Sequence, residues 1–363
     1  MRCRPGVLGV ALLVTVLGFQ TVGPPTAPEA RAGTLTNSRS AQMPEPLSPP
    51  LSVRVGLLAS VSDSGVYIGL ERGYYRELGL DLNVETVPDP NTIVTLTSAN
   101  QLDVGGSGVT ANPFQAATRG IPVKLVADKG QQRTGFGYYP LIVRQALYDS
   151  GQLRTFADLR GRQVGKLSRC DSQDPQLERA LERGGLTRDD VELRYMSFPD
   201  MNAALANGAL DATWQVEPLA TLAEASGIAH RLAGGDEIYP NQQLAALYYG
   251  PDFAARTDAA QRFMIAYVRS LRDYNDAFVR NVGRPEVAQI LAQHTTVKDL
   301  ALYDRIVPAG LDPDGRLNVQ GIRDDVALFV RLGCITGDAP DVSRVVDESF
   351  VNYALSVLGP YAR

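Results

Sequence analysis

Three cysteines, two histidines and one tryptophan are all that the 363 residues contain of these types. So few histidines, with no clustered cysteines, provide no spaced set of metal ligands, and neither a metal nor a cofactor is expected. No G-x-S-x-G, P-loop or H-E-x-x-H run occurs, which removes the commonest hydrolase, nucleotide-binding and metalloprotease signatures. Dense lysine or arginine runs are also missing and the formal net charge is -5, leaving no electrostatic footprint for nucleic acid. Beyond the N-terminal region no stretch is apolar and long enough to cross a bilayer.

What the sequence does have begins at its N-terminus. Arg2 and Arg4 precede an apolar run from Val7 to Phe19, and Ala30-Arg31-Ala32 offers an A-x-A cleavage pattern. Residues 1–32 therefore read as a cleaved secretory signal, the run being short against the roughly 20 residues a spanning helix needs. Cys3 lies ahead of the run and no cysteine closely follows it, so the usual lipid-attachment position is empty. A free periplasmic protein, not membrane-embedded and monomeric, is expected. Residues 33–50, rich in Pro, Ser and Thr, read as a flexible leader.

From residue 51 strands and helices alternate. "LSVRVGLL", "LDLNVETV", "LDVGG" and "PVKLVAD" read as strands, separated by helical patterns that stop at Gly79, near Asn100 and at Gly120. A second cycle follows from Thr155: "RQVGKL", "VELRYM" and "ALDATW" alternate with helices stopped at Gly184-Gly185, near Asn207-Gly208 and at Gly227. Short connections between alternating elements imply α/β architecture with parallel, doubly covered sheets. "ANQLDVGGSG" (99–108) and "ANGALDATWQ" (206–215) mark the same corner in each cycle. Beyond "LAALYYG" the pattern is helical only, with Phe263, Tyr267, Leu271, Tyr274 and Phe278 on one buried face.

Ligands of open α/β sheets bind beyond the carboxyl ends of the strands. The first cycle places Ser60, Ser62 and Asp63 there, then Gly106, Ser107 and Gly108. Glycines allow close backbone approach, and helix starts with hydroxyls suit a carboxylate or sulfonate. The second cycle adds Ser168, Arg169, Asp171 and Ser172, then Trp214 and Glu217. Trp214 could stack on a ligand or belong to the core; Glu217 could cap the helix at Pro218 or bind a ligand. Tyr138, Tyr139, Tyr239 and Asn241 sit near the segments that link the two cycles.

"VRVGLLASVSDSGVYIGLERGYYRELGLDL", "LTSANQLDVGGSGVTANPFQAATRGIPVKLVAD", "TFADLRGRQVGK" and "DMNAALANGALDATWQVEPLAT" resemble the periplasmic substrate-binding proteins of ABC importers. The resembling group is that of nitrate, sulfonate and taurine (NitT/TauT), with binders of thiamine-precursor pyrimidines. The resemblance implies a type II two-lobed fold: 51–137 as the first part of lobe 1, 138–249 as lobe 2, and 250–363 as the helical remainder of lobe 1. Its hinge strands would be Tyr138–Val143 and Leu244–Tyr249, and Ser60, Ser62, Gly106, Ser107 and Glu217 would line the cleft. Partners would be a small organic or anionic ligand and a permease with its cytoplasmic ATPase. Alternatives are a sensor's capturing partner, or a pyrimidine-precursor-synthase-like or chorismate-converting enzyme on the same fold. Cys170 and Cys334 fall in different lobes and are expected to be unpaired. "KLSRCDSQDP" departs from the Gly/Ser/Thr loop of relatives.

Overall fold

The computed structural model describes residues 42–120 and 123–362, with Leu13 and Thr15. Apart from Leu13 and Thr15, the expected signal lies outside the described part, as do residues 33–41 of the leader. The rest of the leader is not loose. The Leu47 amide donates to the Leu78 carbonyl, and Arg262 donates through Nε and Nη2 to the Glu45 carbonyl. The expected leader therefore ends before Glu45, where chain polar groups find fixed partners.

Lobe 1 starts with β1 (Leu51–Leu57), α1 (Ser64–Glu71), β2 (Leu80–Thr86), α2 (Pro90–Ser98), β3 (Val104–Gly108), α3 (Asn112–Thr118) and β4 (Lys124–Gln131). Gly79 takes the left-handed conformation (φ 76°) that ends the turn before β2, and Asp89 caps α2 by accepting from the Thr92 amide. Lobe 2 contains β5 (Leu141–Arg144), α4 (Gln145–Asp149), β6 (Gln163–Lys166), α5 (Gln173–Arg183), β7 (Glu192–Tyr195), α6 (Phe198–Asn207), β8 (Ala212–Trp214), α7 (Leu219–Ala225), β9 (Ala229–Ala233) and α8 (Gly235–Ile238). The chain then returns through β10 (Gln243–Tyr249) to α9 (Pro251–Ala255), α10 (Thr257–Val279), α11 (Arg284–His294), α12 (Leu300–Tyr303), α13 (Val319–Arg331) and α14 (Ser349–Leu358).

The two sheets have orders β2-β1-β3-β10-β4 and β7-β6-β8-β5-β9. Each is mixed, with parallel strands around one antiparallel insertion: β10 against β3 and β4, and β5 against β8 and β9. Topology explains the reversal. β4 ends at the interlobe face and hands the chain over, so β5 must start there and run away from it; β10 does the same on the return. The expected hinge strands are thus members of the sheets, and the crossings themselves are segments 132–140 and 234–242.

The repeated "LD" corner is a structural device. β3 and β8 hold the same third position in their sheets, and Asn100 (φ 56°) and Gly208 (φ 81°) supply the left-handed residue before each. Asp103 accepts the backbone amide of Arg54 at 2.8 Å, and Asp211 accepts that of Gln163 at 3.1 Å. Each aspartate also pairs with an arginine, Arg54 or Arg144. The long helix α10 buries Phe263, Tyr267, Leu271 and Tyr274 against lobe 1, as its periodicity predicts.

Candidate functional site

Both lobes present the carboxyl ends of parallel strands toward one another. Between them lies a cavity walled by Leu58, Ser60, Ser62, Pro90, Gly108, Lys129, Leu244 and Ala245 from lobe 1 and the return strand, Tyr138 and Tyr139 from the first crossing, and Leu167, Asp171, Ser172, Gln173, Phe198 and Val216 from lobe 2.

In lobe 1 the turn after β1 folds back on its own polar groups. Asp63 accepts the Ser60 amide at 2.8 Å and the Ser60 hydroxyl at 3.1 Å, while Ser60 and Ser62 share a hydrogen bond of 2.9 Å. Lys129, near the end of β4 and 1% exposed, donates to Ser62 Oγ at 2.9 Å and reaches Asp63 Oδ1 at 2.8 Å. A buried ammonium is tolerated only with such a partner. Gly106 is what makes room for it, since a Cβ there would stand 2.8 Å from Lys129 Cε.

Lobe 2 repeats this logic. Lys166 ends β6, fully buried, 2.9 Å from Asp171 Oδ1 and 3.1 Å from Asp174 Oδ1. Asp171 also accepts the Gln173 amide at 3.0 Å and so occupies the start of α5. Burial pushes its carboxyl above the ordinary range, with Lys166 opposing. Burial also acts upward on Asp174, but Lys166 and Arg188 together outweigh it and hold that carboxyl low.

Of the residues expected from sequence, Ser60, Ser62, Gly108, Tyr138, Tyr139, Asp171 and Ser172 meet in this cavity. Asp63 and Gly106 stand behind it, supporting Lys129. Ser107 does not face it: its hydroxyl donates to the Pro90 and Gly108 carbonyls. Trp214 is fully buried within β8 and belongs to the core, not to a ligand stack. Glu217 is fully buried too; it accepts from the Thr221 amide, pairs with Arg231 at 2.6 Å and links the lobes, since its carbonyl accepts the Val61 amide. Ser168 and Arg169 meet Asn91 of lobe 1, and the Arg169 guanidinium lies over Tyr195. Tyr239 is stacked under Arg179, and the Asn241 amide ties the second crossing to the first by donating to the Gln132 carbonyl. Sequence reasoning missed Lys129, Gln173, Phe198 and Val216. A lysine directly after the apolar run of the strand "KLVADKGQ", at its ligand-facing end, is the signal that could have exposed the first.

The cysteines overturn their expected state. Cys170 and Cys334 form a disulfide with Cα atoms 5.6 Å apart. Lobe membership was a poor guide because the loop after β6 reaches across to lobe 1, where the Ala111 amide donates to the Cys170 carbonyl at 2.9 Å.

A family model described as NMT1/THI5 like matches residues 61–275. The chain belongs to this family. Its fold is also that of solved periplasmic binding proteins. The alkanesulfonate-binding protein SsuA of Xanthomonas axonopodis pv. citri superposes with a TM-score of 0.66 at 21% identity, over 83% of this chain and 99% of that one. The nitrate-binding NrtA of Synechocystis PCC 6803 gives 0.70 at 16% identity, over 85% and 89%. The desulfurization enzyme DSZB shares the fold at 0.56 and 17% identity, over 84% and 99%. A curated relative, the 4-amino-5-hydroxymethyl-2-methylpyrimidine phosphate synthase of Aspergillus parasiticus, is 25% identical over 223 residues, 58% of this chain. The chain spans 61% of that relative's length. Among the described residues no helix is long and apolar enough to cross a membrane.

Proposed function

We propose that this family member is an exported solute-binding protein that captures a small molecule between its lobes and delivers it to an ABC importer. The carrying observation is the cavity built from strand ends of both lobes, with polar side chains on both walls and the chain crossing twice beside it. Such a site binds by closure, and a ligand favours the closed form only by the affinity it gains there. The neighbours named for sulfonate and nitrate binding support the reading. An enzyme on this fold is the weaker account: His230 stacks on Tyr148 and His294 on Tyr67, both away from the cavity wall, and Lys129 is engaged by Asp63.

The test is a thermal-shift screen of the purified chain against anionic and uncharged small solutes, because a binder raises the unfolding temperature by mass action. A solute that stabilises the native chain and fails to stabilise Phe198→Ala, with folding checked by near-ultraviolet circular dichroism, upholds the reading. A panel in which nothing stabilises the chain removes it. Delivery is tested separately, by adding loaded protein to vesicles carrying the permease and its ATPase; uptake without stimulation turns the reading toward a sensor's capturing partner.

A further inference from the structure

The expected carboxylate or sulfonate would sit in a polar turn beside a helix start, and two such turns of this cleft already hold a carboxylate of the protein. Asp63 occupies the turn before α1, accepting the Ser60 amide, and Asp171 occupies the start of α5, accepting the Gln173 amide. Each carboxylate neutralises the buried lysine of its own lobe. The walls therefore offer no surplus positive charge: Lys129 with Asp63 sums to zero, as does Lys166 and Arg188 with Asp171 and Asp174. An added anion would lose its hydration without gaining a free cation.

What the cavity-lining residues leave unmatched is neutral. The Tyr138 hydroxyl lies near Ser62 but makes no well-directed hydrogen bond, and Gln173 Nε2 has none, although both side chains are 1% exposed and both residues line the cavity. Gln173 Oε1 is held by the Leu167 amide, so the amide's NH₂ is the end left free. Buried donors without partners are rare in native proteins and call for an acceptor.

A second pocket adjoins the first, the two sharing Leu58, Phe198 and Val216 as wall. Its other lining is largely apolar and again comes from both lobes, Pro88 and Thr296 on one side and Pro199, Pro218 and Leu219 on the other.

Building on the binding reading above, we infer that the ligand is an uncharged molecule with a hydrogen-bond-accepting head between Tyr138 and Gln173 and an apolar body that passes Leu58 and Phe198 into the second pocket. Four probes test this by titration calorimetry on the intact chain near neutral pH: benzamide, biphenyl carboxamide, benzenesulfonate and biphenyl sulfonate. Each carboxamide should bind at least about tenfold more tightly than the matching sulfonate, and the biphenyl amide about tenfold more tightly than benzamide. Thr296→Trp, at an exposed position of the second pocket, should abolish the gain from the second ring while leaving benzamide within about twofold. Sulfonates binding more tightly than amides would overturn the inference and leave solute binding intact. Equal affinity for one ring and two would overturn the apolar body. Silence from all four probes also overturns it, and the wider solute screen then shows separately whether binding itself survives.

Discussion

The two lobes solve one electrostatic problem with different margins. Each carries a buried lysine at the end of a strand facing the cleft, but Lys129 has one carboxylate, Asp63, and shares a serine hydroxyl, whereas Lys166 lies between two, Asp171 and Asp174, the second also tied to the half-buried Arg188. Lobe 1 holds its charge in a local pair that borders the cavity directly. Lobe 2 keeps its lysine behind the wall, in a network extending to the surface. Cleft neutrality is thus reached twice from different parts, and the two versions should fail differently.

The largest effects come from removing the cations. Lys166→Met leaves buried Asp171 without a cation and takes one of the two cations from Asp174, and should cost about 3–5 kcal/mol in urea unfolding, toward the upper end, with Lys129→Met toward the lower. The reverse order would break the comparison. Next, the double change of Cys170→Ser with Cys334→Ser, whose cross-link spans 164 residues, should cost about 2–4 kcal/mol in the same assay.

Carboxylates without a lysine sharpen the contrast. Asp325, fully buried in α13, accepts from Gln242 Nε2 on Oδ2 while its Oδ1 has no partner, and burial pushes its carboxyl up to about 7, with the Gln242 and Tyr239 hydrogen bonds opposing. Asp128 is likewise pushed to about 7 by burial. A raised carboxyl favours the folded state when protonated, so this contribution is complete below about pH 4 and lost as pH rises through about 7. Asp325→Asn should flatten that fall, gaining on the order of 2 kcal/mol at pH 8 relative to the parent; parallel pH curves for the two proteins would sink the assignment. The smallest effect belongs to Tyr138→Phe, which deletes an unmatched buried hydroxyl and should stabilise the ligand-free chain by about 1 kcal/mol, measured by urea unfolding.

Much of the fold was legible because strand and helix periods, glycine stops and the repeated aspartate corner are local signals. Gly79 and Gly208 do take left-handed conformations, and the "LD" corner does mark equivalent strands. The mixed sheets were less visible, since β5 and β10 reverse for a topological reason that no local pattern carries. At the site, the serine turn after β1 could be read because it follows a strand directly. Trp214 was harder: it closes β8 and is fully buried in the core, while Val216, past the strand end and free of its pleat, lines the cavity. Phe198 begins α6 and becomes a wall residue only because lobe 1 stands opposite. The cysteine pair eluded sequence reasoning for the same reason, as only the loop reaching across the cleft brings Cys170 to Cys334.

That loop has a mechanical consequence. The halves are joined by two peptide crossings, and the Cys170–Cys334 bridge is a third strap that does not depend on the second of them. A protease cut anywhere within 234–242 would separate the polypeptide into two pieces, one bearing Cys170 and the other Cys334, yet the nicked protein would run as a single species on a denaturing gel until a thiol reductant let its fragments part.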